Sequence, residues 1–96
     1  MSKYALRLYI TGQTPRSLRA VENLLRICRE ELQGDCELKI IDVLEQPQLA
    51  NDDKILATPT LIKLRPPPSS RIIGDLSDFE TVRLGLDIPT PAGTTQ

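Results

Sequence analysis

A chain of 96 residues and 10.7 kDa has room for one small domain, and its twelve lysines and arginines against thirteen aspartates and glutamates leave a net charge of −1. That balance argues against nucleic acid as a partner, because a reader of phosphate backbone carries a basic excess. The absence of histidine removes imidazole general-base chemistry and histidine-ligated metals, and no apolar run reaches the roughly 18 residues that a membrane span needs.

Met1-Ser2-Lys3-Tyr4 leads straight into an alternating pattern rather than a signal peptide, which predicts a cytoplasmic protein. Lys3 to Thr11 reads as a strand, with Leu6, Leu8 and Ile10 on one face and Ala5, Arg7 and Tyr9 on the other. Thr14 is a good N-cap and Pro15 suits the first turn of a helix running to about Leu32. Leu18, Val21, Leu25, Cys28 and Leu32 recur at helical spacing, Leu24 and Ile27 widen the stripe, and Gly34 is the stop. Cys36 to Val43 is a second strand, so the first half is a βαβ unit with parallel strands.

The second half is less decided. Pro47 opens a short helix over the stretch 46–54. Thr60 to Leu64 is a strand, Pro66 to Ser70 a turn, and Arg71 to Gly74 a short strand. Ser77-Asp78-Phe79-Glu80 has capping-box spacing before a helix through Leu86, with Val82, Leu84 and Leu86 as its apolar contacts. The order βαβ-α-ββα is α/β and thioredoxin-like. Residues 1–88 are expected to form the domain and 89–96, from Pro89 to Gln96, a disordered tail. Short apolar runs such as Ile55-Leu56-Ala57 do not declare helix or strand by periodicity, and five prolines crowd residues 47–68.

A thioredoxin-like order raises disulfide exchange first. That chemistry needs a thiolate at the start of the first helix, where the dipole lowers its pKa. Gly12-Gln13-Thr14-Pro15 has no cysteine there, although Thr58-Pro59 stands where that fold places a cis-proline, making Pro59 a cis candidate. Cys28 and Cys36 are expected to be two separate reduced thiols, one in the core and one at a strand start. Asp52-Asp53 and Asp75 with Asp78 read as solvated turn and helix-start charges rather than acid–base pairs. No catalytic residue, metal site or cofactor is expected. Binding is the default, and the cations Lys39, Lys54, Lys63, Arg65 and Arg71, expected to be exposed, are the candidate partner surface.

Three stretches then carry a resemblance: 40–50 (Ile40 to Ala50), 53–61 (Asp53 to Leu61) and 71–78 (Arg71 to Asp78). With 6–15 and Gly85-Leu86-Asp87, the sequence resembles the KaiB family over about residues 4–88. The resemblance implies a non-enzymatic regulator that binds the N-terminal ring of a KaiC-like hexameric ATPase, with KaiA or a sensor histidine kinase as further partners. It implies a circadian role, or a timer or stress role in a paralogue without KaiA. It also implies two folds, a monomeric thioredoxin-like form and a tetrameric resting form of βαββααβ order with a rearranged C-terminal half. A homo-oligomer, dimer or tetramer, is therefore expected. Lys54, Lys63 and Arg71 match residues facing the ATPase, Lys39 the strand edge that meets KaiA, and Gly85 and Asp87 the positions that bias the fold. On that basis Gly85→Ala and Asp87→Arg are expected to favour the thioredoxin-like form, and charge reversal at Lys63 or Arg71 to weaken docking without unfolding. Departures from the family are Ser70 before Arg71, Gln13, and Thr90 ahead of an uncharged tail.

Overall fold

The computed structural model describes residues 2–88, so the tail expected over 89–96 lies outside the described residues. The elements follow as β1 (Tyr4–Ile10), α1 (Pro15–Glu31), β2 (Cys36–Asp42), α2 (Pro47–Asp52), β3 (Thr60–Arg65), β4 (Ser70–Ile73) and α3 (Phe79–Leu86). The four strands form one sheet in the order β2-β1-β3-β4. β1 runs parallel to β2, while β3 is antiparallel to both β1 and β4. This is the thioredoxin-like arrangement. Among the described residues no helix is long and apolar enough to cross a membrane.

The alternation along β1 divides the core. Leu6 and Leu8 meet Ala20, Leu24 and Ile27 of α1 and Val82 and Leu86 of α3. Tyr9, with Ile41 and Ile62, faces the other way, under Leu49, Ala50 and Ile55 around α2. The apolar areas on both faces explain why β1 is buried along most of its length.

Thr14 caps α1, its side chain accepting from the Ser17 amide, and Pro15 occupies the first turn. The buried stripe of α1 is rotated from the one the leucines suggest. Ser17, Ala20, Asn23, Leu24, Ile27 and Cys28 face inward, whereas Leu18 and Leu25 are about half exposed. Two polar residues displace the leucines because the fold satisfies them. Ser17 Oγ accepts from the Thr11 amide at 3.0 Å, and Asn23 Nδ2 donates to the Asp75 carbonyl at 2.8 Å.

At α3 the cap is Asp78 rather than Ser77. Its carboxylate accepts from the Thr81 amide and hydroxyl, and Leu84 turns outward to solvent. The two cysteines are not separate thiols but are joined as a disulfide, Cys28–Cys36, with Cα atoms 6.2 Å apart. The turn between α1 and β2 reverses the chain so tightly that a late-helix side chain and a strand-start side chain meet.

Candidate docking face

Strand register decides which predicted cations share a surface. Arg7 pairs with Lys39 on one side and Ile62 on the other, and Ile62 pairs with Arg71. Lys39, Arg7, Ile62 and Arg71 thus form one row across all four strands on the α2 side of the sheet, spanning about 14 Å at the usual strand spacing. Lys39 and Arg71 at its ends are exposed, as is Lys54 just beyond α2. α2 has only six residues, so it covers the end of the sheet around Tyr9 and leaves the Lys39 end open.

Arg71 is also a structural clasp. Its Nη1 donates to the Lys54 carbonyl at 3.2 Å and its Nη2 to the Asp53 carbonyl. These are carbonyls at the end of α2, where a cation complements the helix dipole. The clasp draws Lys54 toward the row and fixes the edge strand β4 to the 53–54 turn, where Lys54 takes a left-handed φ of 55°.

Beneath it lies a network that no local sequence pattern announces. The Asp53 carboxylate accepts from the Tyr9 hydroxyl at 2.5 Å and pairs with Arg7 Nη1 at 2.7 Å. The hydrogen bond from Tyr9, with Arg7 second, holds the Asp53 carboxyl below its ordinary 3.8. Burial, then the Asp53 carboxylate, pushes the Tyr9 phenol up to about 12. A raised phenol pKa favours the fold fully below the ordinary value of 10.0, and that contribution disappears as pH rises through about 12. Tyr9→Phe is therefore expected to flatten the alkaline limb of the stability curve between pH 10 and 12, measured by urea unfolding. An unchanged limb would show that Tyr9 is not its source.

Lys63 is corrected outright as an exposed cation. It sits on the opposite face of the sheet with its side chain fully buried, and its Nζ reaches Asp87 Oδ2 at 2.9 Å. Leu6 and Ser70 are its neighbours across the sheet, and the aliphatic stem fills core volume while the ammonium stays buried against Asp87 at the end of α3. Asp87 is the C-cap of α3 in a left-handed conformation, φ 57°. Gly85, two residues earlier, lies against β4. A Cβ there would come within 2.7 Å of Ile72 Cδ1 and Cγ1, and the Gly85 carbonyl accepts from Ser70 Oγ at 2.5 Å. The two residues matched to fold bias thus hold α3 to β3 and β4. Arg65, the remaining predicted cation, is paired with Glu37 at 2.9 Å.

The loop equivalent to a redox active site holds hydroxyls instead of thiols. Thr11 and Thr58 share a hydrogen bond of 2.5 Å, and the Thr58–Pro59 peptide is cis. Cys36 pairs with Tyr4 at the beginning of β1, the opposite end of the strand from Thr11. Among the described residues no group of three or more acids and thiols is placed to hold a metal ion.

Comparison with known proteins gives a consistent result. The KaiB domain family matches residues 7–88. The circadian clock oscillator protein KaiB of Microcystis aeruginosa is 60% identical over 85 residues, covering 88% of this chain and 82% of that one. The circadian clock protein KaiB3 of a Synechocystis strain is 58% identical over 88 residues, covering 92% and 86%. Among solved structures, the N-terminal domain of Synechococcus elongatus SasA aligns with a TM-score of 0.69 at 28% identity, covering 88% of this chain and 81% of that one. Chloroplastic thioredoxin z aligns at 0.73 with 21% identity, covering 91% and 79%, a likeness of fold alone.

Proposed function

Because the chain belongs to the KaiB family, we propose that it is a clock-type regulator acting by docking, without chemistry of its own, on the N-terminal ring of a KaiC-type hexameric ATPase. The observation that carries the reading is the cross-sheet row from Lys39 to Arg71 with Lys54 clasped beside it. It offers exposed cations on rigid strands to an acidic partner surface, and oppositely charged faces steer encounter and fix register. Lys54 and Arg71 are assigned to the ATPase and Lys39 to a second clock partner such as KaiA.

Size exclusion with light scattering tests this, using the chain with a KaiC-type hexamer and nucleotide. A ring-sized complex is expected. Lys54→Glu is expected to weaken it at least tenfold, because both the attraction and the sign of the contact change, while the circular dichroism melt stays put because its side chain is exposed. Absence of a complex with the unmodified chain would remove the reading.

The likeness to the SasA domain favours a second element. Two proteins of one fold can occupy one docking site, so this chain would compete with a SasA-type kinase for the same ring. Adding such a sensor domain to the preformed complex is expected to displace the chain. Simultaneous binding would rule competition out.

A further inference from the structure

We propose that Cys28 and Cys36 form a reversible thiol–disulfide modification site, oxidised by a small-molecule disulfide of the glutathione type, that staples the end of α1 to the start of β2. The backbone between them builds the site without help from the sulfurs. The Gly34 amide donates to the Cys28 carbonyl at 2.8 Å, the Leu32 amide to Ile27 at 3.2 Å and the Asp35 amide to Leu32 at 3.0 Å. Gln33 and Gly34 both take left-handed φ values, 55° and 71°, which closes the turn. From the far side, Cys36 is held in register with Tyr4, and the Tyr4 amide donates to the Asp35 carbonyl at 3.2 Å. The two Cα atoms end 6.2 Å apart, inside the range a disulfide spans. The backbone that frames the pair is therefore held by hydrogen bonds of its own, beside the link between the sulfurs.

Exposure sets the order of events. Cys28 is 8% exposed against the core, whereas Cys36 is only partly buried at the strand start. Cys28 also lies in the later part of its helix, where the dipole disfavours a thiolate. Cys36 is thus the entry point. Its thiolate attacks one sulfur of the oxidant, forming a mixed disulfide and expelling one small thiol. The Cys28 thiolate then attacks Cys36 Sγ and expels the second small thiol. The two protein thiols lose two protons and two electrons, and the oxidant disulfide is reduced to two thiols.

The test incubates the reduced full-length chain with oxidised glutathione and follows intact mass and peptide mapping. A monomer lighter by two hydrogens, with a peptide linking Cys28 to Cys36, is expected. Cys28→Ser should stop at the mixed disulfide on Cys36, since the resolving thiol is gone. Reducing the linked protein should lower its melting temperature by about 10 °C, from the loop-closure effect of so short a ring in a domain of this size. Two free thiols after incubation, a stable mixed disulfide on the unmodified chain, or a covalent dimer would each overturn the proposal. These readouts use no partner, so they stand apart from docking.

Discussion

Lys63→Glu is expected to unfold much of the population, while Lys63→Met leaves the domain folded. The side chain of Lys63 is fully buried and its ammonium meets Asp87 at 2.9 Å. Reversing the charge buries a carboxylate beside a second carboxylate and removes the pair at once. Breaking a buried pair from one side costs about 3–5 kcal/mol, a large share of the stability of a small domain. Methionine fills nearly the same volume with no charge to desolvate, so its effect is expected within about 1 kcal/mol of neutral. Asp87→Asn keeps the left-handed C-cap and loses only the charge. Because the Asp87 side chain is 63% exposed, water replaces much of what is lost, and the expected drop is about 1–2 kcal/mol. Urea unfolding of the three variants decides this. Equal stability of Lys63→Glu and Lys63→Met would show that the buried charge does not matter to this fold.

The same pair is expected to bear on the balance of two folds that the family resemblance implies. Asp87→Arg is expected from that resemblance to favour the thioredoxin-like form. In that form, however, it sets a guanidinium against the Lys63 ammonium. Placing Asp87→Arg in a Lys63→Met background removes this opposing term. The thioredoxin-like share counted by NMR is expected to be larger in the double variant than in Asp87→Arg alone. An equal share in both would mean that Lys63 plays no part in the balance.

Much of the fold was legible because local and global signals agreed. Thr14-Pro15 opens α1, alternation sets the two faces of β1, and the element order predicted the sheet. The misses share one cause: pairing between elements is invisible to the pattern within any one of them. Lys63 looks like any strand lysine until Asp87, 24 residues later, closes on it. Leu18 and Leu25 looked like core until Ser17 and Asn23 found partners at Thr11 and Asp75. Cys28 and Cys36 lacked a redox spacing, yet the turn brings them together. The signal that could have found the Tyr9 network is Arg7 beside Tyr9 on a strand face otherwise apolar, which calls for a partly buried acid elsewhere in the chain.

That acid is Asp53, and Asp53→Asn is expected to loosen docking without touching the partner. One carboxylate joins Tyr9 and Arg7 of β1 to the end of α2, and Arg71 of β4 holds the adjoining carbonyls. α2 has no buried residue of its own and no side-chain cap, so this polar clasp does what apolar burial does for α1. Asparagine keeps one acceptor but loses the charge that both donors use, a loss of about 2 kcal/mol for hydrogen bonds to an ionised group. The opening is local, because β1 remains packed against α1 and α3 through Leu6 and Leu8. Amide exchange over residues 48–55 is therefore expected to speed up about thirtyfold, while exchange in β1 is unchanged. Affinity for a KaiC-type ring should fall with it, since Lys54 is then held only through the main-chain carbonyls that Arg71 clasps. Acid acts in the same direction. The depressed carboxyl contributes stability in full above its ordinary 3.8, and that contribution disappears as pH drops through the lower folded value. The asparagine variant should lack this part of the acid response. Unchanged exchange over 48–55 would mean that α2 is held by Leu49, Ala50 and Ile55 alone, and the network would then be a consequence of the docked helix rather than what holds it.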